Sequence, residues 1–279
     1  MSDERGRAVR LLWDAPTKPS RGPKPALTLE RITRTGIGVA DGEGLAALSM
    51  QRVAGLLDVT KMALYRYMPG KAELVALMVD AALGETPPPP ARPHSGWRPQ
   101  LAAWARQLVT VFERHPWLLD AMPGPRVTGP RELAWTERAL AALDGTGLTG
   151  AERLDAVMLL TGHVREIAQQ ARAAGAGAAG SAGDAQGTGG GERTAGAEST
   201  GDGPGHGPEE QFAAGLAGLM RDHGADFPAL SAALSATATE GGRDQGLDFG
   251  LERILDGLGL LIAERAEHME RTEGTDHTD

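Results

Sequence analysis

Residues 49–71, S-M-Q-R-V-A-G-L-L-D-V-T-K-M-A-L-Y-R-Y-M-P-G-K, decide the fold. Ser49 is placed to cap a helix whose Val53 and Leu56 face inward, Leu57-Asp58-Val59 makes a tight turn, and Thr60 caps a second short helix containing Leu64. A small residue, Ala54, stands where two helices cross closely, Asp58 tolerates a left-handed turn, and apolar Val59 and Leu64 lock the angle. The outer face of the second helix then carries Thr60, Lys61, Met62, Tyr65 and Arg66. Such a face of donors with apolar and aromatic members suits base edges, thymine methyls and phosphates. An αα-corner inside a helical core has the same spacing. The two tyrosines of the chain, Tyr65 and Tyr67, fall beside Arg66 and Lys71, where packing does not demand them, and this favours the DNA reading.

Outward from this unit, apolar residues recur at helical spacing from Leu27 to Leu83, which predicts four short helices over 27–83. Gly36 and Gly38 would each cost about 1 kcal/mol inside a helix, so the first is expected to end near Thr35 with Gly36 as its stop. Residues 1–26, with Pro16, Pro19, Pro23 and Pro25 among Lys18, Arg21 and Lys24, read as a disordered basic arm. Pro87 to Pro90 cannot continue a helix and mark a linker over 84–96. Helical spacing returns over 97–267, where Leu101, Trp104, Leu108, Val111 and Phe112 line one face. Leu154 to Ala171 is apolar nearly all round, as a helix buried on more than one side would be. Residues 175–208 hold thirteen glycines and no Val, Ile, Leu, Met or aromatic residue, so they read as a disordered loop. A last helix carries Leu247, Leu251, Ile254, Leu258 and Leu261, and 268–279 reads as a polar tail. No stretch alternates as a strand does, so the fold is expected to be all-α.

Composition narrows the function classes. The 279 residues contain no cysteine, which excludes disulfides, thiolate metal sites and thiol nucleophiles. Net charge is −9, yet residues 1–80 hold twelve Lys/Arg against nine Asp/Glu, a net of +3, and the remainder holds 16 against 28, a net of −12. A slightly basic head on an acidic body is compatible with DNA. The early residues do not resemble a secretory signal and no run of 18 apolar residues exists, so a cytoplasmic protein without membrane contact is expected. Gly175, Gly177 and Gly180 match G-x-G-x-x-G but open an Ala/Gly tract with no preceding strand. The seven histidines form no H-E-x-x-H, no serine sits in a G-x-S-x-G elbow, and carboxylate pairs such as Asp248/Glu252 lie on polar faces. Neither catalytic residues, nor a metal site, nor a cofactor is expected.

Gly44-Leu45, Ser49-Met50, Val53-Ala54, Leu57 to Val59, Ala63 to Tyr67, Gly70-Lys71 and Glu73-Leu74 together closely resemble the N-terminal domain of TetR-family transcriptional regulators. The resemblance covers about Leu27 to Leu83 and implies a three-helix DNA-binding head, a connecting helix, and an all-helical dimeric body that binds a small effector. By the family pattern, Gln51 and Arg52 on the first motif helix, and Lys61, Met62, Ala63, Tyr65, Tyr67 and Lys71 on or after the second, are candidate DNA contacts beside Thr60 and Arg66. The glycine common at the turn is Asp58 here. His115 to Trp117 and Phe249 to Leu258 are similar to the tetracycline-repressor branch of the family, although no magnesium-tetracycline site is matched residue by residue.

Four of the five tryptophans lie between the linker and the long apolar helix. Trp104, Phe112, His115, Trp117, Met122, Trp135, Met158 and His163 are therefore candidate effector contacts, with ordinary helical core as the competing reading. Helices Leu154 to Ala171 and Leu247 to Ile262 are candidate dimer surfaces, with Gly250, Gly257 and Gly259 permitting close approach of a partner helix. The expected protein is an effector-responsive homodimeric regulator, a repressor on a near-palindromic double-stranded DNA operator. The alternatives are an architectural DNA-binding protein without effector and a helical enzyme with unrecognised catalytic groups.

Overall fold

The computed structural model describes residues 2–14, 27–85, 96–124, 126–184, 216, 218–221, 223–240 and 246–275. Every regular element among the described residues is helical. The chain divides into two units, one of residues 1–168 with 250–279 and one of residues 169–249.

In the first unit, α2 (Leu29–Glu43) begins at Thr28, whose side chain accepts the amide of Arg31 at 3.1 Å. It buries Ile32, Thr33, Gly36, Val39 and Ala40, a stripe at helical spacing, and stops at Gly44, where φ is 82°. A 3-10 turn, Leu45–Ala47, leads to α3 (Met50–Leu56) and α4 (Lys61–Tyr65), and α5 (Lys71–Leu83) follows. Ile32, Leu48, Val53, Leu64, Met68, Leu74 and Met78 are essentially solvent-free and form the core of this head. Each buried aliphatic side chain of this size contributes about 1.5–3 kcal/mol relative to exposure.

The body starts with α6 (Trp97–Arg114), which buries Leu101, Trp104, Ala105, Leu108, Val109 and Phe112. The short α7 (Leu118–Ala121) buries Leu118 and Leu119, and α8 (Pro130–Ala142) begins with proline in its first turn. Next comes α9 (Gly150–Asp184), opened by a capping box in which Thr149 N donates to Glu152 Oε2 and Glu152 N donates to Thr149 Oγ1. α10 (Pro228–Glu240) belongs to the second unit, where Ser231 Oγ donates to the carbonyl of Gly224. α11 (Gly246–Thr275) closes the chain. In the first unit it is held to α6 by Arg98–Asp256 at 2.5 Å and to α9 by Arg265–Glu152.

Several expectations are corrected. Residues 2–13 are not an unstructured arm but helix α1 (Ser2–Trp13), which packs on α5, buries Ala8 and Leu12, and donates Trp13 Nε1 to the carbonyl of Thr128 at 3.1 Å. The first helix of the head runs through Gly36 and Gly38 to Glu43. The reason at Gly36 is close packing: a Cβ there would sit 2.7 Å from Met78 Sδ. Leu57, not Leu56, faces inward, and Leu56 is exposed. α9 continues through 175–184, and α11 continues to Thr275 where a polar tail was expected from 268. Gly250 and Gly259 serve packing within the protomer, against His163 and Trp97, while Gly257 alone of the three has open space above it. The remainder of the expected arm, linker, loop and tail, residues 15–26, 86–95, 185–208 and 276–279, lies outside the described residues.

Candidate nucleic-acid interface

The α3–α4 unit is fixed by local chemistry. Ser49 Oγ accepts Arg52 N at 3.1 Å and Thr60 Oγ1 accepts Ala63 N at 3.2 Å, so both short helices have a side-chain cap. Asp58 adopts φ 56° just past the end of α3. The amide of Val59 reaches the carbonyl of Ala54 and that of Asp58 the carbonyl of Gly55, the paired bonds of a Schellman stop. Leu57 and Leu64 are buried beneath it. The turn angle therefore rests on one left-handed aspartate and two apolar plugs.

On the outside of this unit Gln51, Arg52, Thr60, Lys61, Met62, Tyr65, Arg66 and Lys71 are exposed, Met62 to 72%. A methionine this exposed offers an apolar contact to a partner. The ammonium of Lys61 lies 5.8 Å from the centre of the Tyr65 ring, which steadies both on one face. Lys71 stands at the first position of α5, where the helix dipole disfavours a cation but an approaching phosphate is favoured. Ala63 is half-buried. Two candidates are already engaged. Arg52 pairs with Glu43 at the end of α2, and Tyr67 donates its hydroxyl to the carbonyl of Leu27 at 2.8 Å, so its packing is demanded after all.

Polar ties at Asp41, Asp80 and Leu83 join this head to the body. One carboxylate oxygen of Asp41 on α2 receives Trp117 Nε1 at 2.7 Å and lies 2.8 Å from His115 Nδ1. Asp80, buried on α5, accepts the amide of Arg131 at 2.8 Å and so caps α8, with Gly129 pressed so closely that a Cβ would overlap the carboxylate. Burial pushes the Asp80 carboxyl above its usual range, although the amides of Arg131 and Glu132 and the Arg131 charge pull it down. Finally, Trp135 Nε1 donates to the carbonyl of Leu83 at the end of α5.

The contacts made by the eight effector candidates fall in several places. Trp104 and Trp135 meet edge to face at 6.3 Å, with Trp104 Nε1 donating to the carbonyl of Trp135 at 2.9 Å, and Phe112 is buried on α6. His115 and Trp117 gather on Asp41, and the half-buried Met122 gives its carbonyl to Arg126 Nε. Met158 is 57% exposed on the outer face of α9, and His163 lies over Gly250. Reading along the sequence missed Asp41, Asp80 and Arg138, whose partners are 31 to 76 residues away. Among the described residues no cluster of three or more His, Asp or Glu side chains is arranged for a metal, and no helix is long and apolar enough to cross a membrane.

With this geometry in place, the chain can be set beside known proteins. A family model described as the tetracyclin repressor-like C-terminal domain matches residues 89–262. The HTH-type transcriptional repressor DrrR1 of Streptomyces coeruleorubidus is 41% identical over 163 residues, 58% of this chain and 60% of that one. An HTH-type transcriptional regulator of Saccharopolyspora erythraea is 31% identical over 157 residues, 56% of this chain and 66% of the relative. The matched part thus covers less than two thirds of either relative. Among solved structures, apo ActR of Streptomyces coelicolor superposes with a TM-score of 0.63 at 25% identity, over 88% of this chain and 100% of that one. ActR in complex with actinorhodin gives 0.62 at 26% identity, over 85% and 96%.

Proposed function

The chain belongs to the tetracyclin-repressor-like family of transcriptional regulators, and on that premise we propose that it is a homodimeric repressor on a near-palindromic double-stranded operator, released by a small, largely apolar effector in its helical body. The observation that carries this reading is the exposed set Lys61, Met62, Tyr65, Arg66 and Lys71 on a doubly capped α3–α4 unit. The relative that is a transcriptional repressor and the structural neighbour in complex with actinorhodin support the two halves of the reading.

Dimerisation rests on a surface a monomer would not keep. Leu154, Met158 and Leu159 on α9 and Leu260 on α11 are exposed, and a groove of about 570 Å³ lies between these helices, lined by Ala156, Leu159, Ile254, Leu258 and Leu261 among others. A second copy covers it by a four-helix contact. One short recognition helix reads few base pairs; a dimer presents two, about 34–36 Å apart. The Asp41, Asp80 and Leu83 ties carry any displacement of α6, α7 or α8 into α2 and α5. An effector shifts the operator-bound state only by its differential affinity for the two forms.

Selection of genomic fragments with the full chain, followed by footprinting, tests the reading. Two protected half-sites about one helical turn apart, bound by two protomers, are expected; a single asymmetric footprint, or no enriched sequence, overturns it.

A further inference from the structure

Most positions of α4 and its cap have a role within the head. Leu64 is fully buried, Ala63 is half-buried, and Thr60 gives its side-chain oxygen to the amide of Ala63. Lys61 and Tyr65, one turn apart, hold each other through ammonium and ring. Met62 differs: at 72% it is the most exposed large apolar side chain among the described residues. Among the described residues of the head, the exposed large apolar side chains are Leu56, Met62 and Tyr65, all of them on α3 or α4. Exposed cations flank Met62, with Lys61 next to it, Arg66 one turn on, and Lys71 at the start of α5. An apolar point among cations complements a surface that is anionic around and apolar at one spot. In the major groove of duplex DNA that spot is the 5-methyl group of thymine.

We propose that Met62 reads a thymine methyl in each half-site of the operator, so that thymine at one position is selected by apolar contact and not by hydrogen bonds. The proposal rests on the DNA-binding half of the function above and specifies what that face recognises. Methionine has no N–H or O–H and its sulfur is a weak acceptor, so the donor and acceptor pattern of a base edge is read by its neighbours instead. Its unbranched, flexible chain suits a small apolar target. Cytosine carries only hydrogen where thymine carries the methyl, so the contact separates the two pyrimidines.

The test uses the full-length protein and the operator recovered by fragment selection. Each thymine of a half-site is replaced in turn by deoxyuridine, which removes the methyl and keeps every hydrogen-bonding group. Wild type is expected to lose affinity about fourfold at one thymine per half-site, and about fifteenfold when both half-sites are changed, as for one methyl group each returned to water. Met62→Ala, a change at an exposed position that leaves both caps and the core in place, is expected to bind the unmodified operator with a comparable loss. It is also expected to be indifferent to deoxyuridine at that thymine while keeping any response at the others. A deoxyuridine penalty that persists in Met62→Ala overturns the assignment, as does a Met62→Ala that weakens operator and random duplex equally. Wild type that binds the operator yet tolerates deoxyuridine at every thymine overturns it too and leaves the DNA reading standing. If no operator is bound at all, the DNA reading falls and this assignment with it.

Discussion

Asp41 on α2 and His115 at the end of α6 meet at 2.8 Å, and the same carboxylate oxygen also takes the indole N–H of Trp117. One side chain of the head thus serves two buried donors of the body. Asp41→Ala leaves both without an acceptor, and each buried unmet donor costs about 1–3 kcal/mol. A clear drop in urea midpoint is expected, with Asp41→Asn, which keeps one acceptor oxygen, in between.

Asp80 makes a different prediction because burial raises its pKa. A carboxyl whose folded pKa lies above its unfolded value stabilises the fold most while protonated, and that contribution is lost as pH rises through the folded pKa. Asp80→Asn removes the charge and keeps an acceptor for the Arg131 amide. Urea unfolding at a series of pH values is expected to show wild type losing ground to Asp80→Asn as pH rises from the acid range. Asp80→Ala, lacking the cap, is expected to be less stable than Asp80→Asn throughout, by about 1–3 kcal/mol.

Glu152 has the opposite sign. The Arg265 guanidinium, then the Thr149 amide, hold its carboxyl down at about 2. Its contribution is therefore present above the unfolded value near 4.5 and fades as pH falls toward about 2. Glu152→Gln is expected to melt below wild type at neutral pH, the gap closing on acidification; a gap independent of pH contradicts the ion pair.

The two glycines inside α2 should respond in opposite ways. Gly38 is exposed, and a methyl placed on it would meet no atom within 4 Å, so Gly38→Ala is expected to raise stability by up to about 1 kcal/mol. Gly36→Ala gains the same backbone term but drives a methyl into Met78 Sδ, and overpacking of this kind costs about 1–3 kcal/mol. Thermal melts of the two variants read the difference directly.

These contrasts explain what could be read along the chain. The α3–α4 unit was legible because its determinants are local: two caps each three residues from their amide, and a turn residue tolerant of positive φ. Gly36 was misread because the reason for it, Met78, is 42 residues away in sequence and its helix cost is local. Helix α1 escaped because, among its described side chains, Ala8 and Leu12 alone are buried, and its anchor is a carbonyl 115 residues on. The tryptophans were visible as a cluster, but their division between an interlocked pair and the Asp41 tie depends on helix pairing that no spacing encodes.

Binding of the selected operator and of random duplex across a salt series, for wild type, Lys61→Ala and Lys71→Ala, tests the DNA-reading head most directly. Lys71→Ala is expected to weaken binding to every sequence and to lower the salt slope by about one, as loss of a phosphate contact does. Lys61→Ala is expected to relax preference at one position in each half-site. Wild type that binds operator and random duplex alike, or two variants that both bind as wild type does, would mean that α3 and α4 are a helical corner and not a reading head.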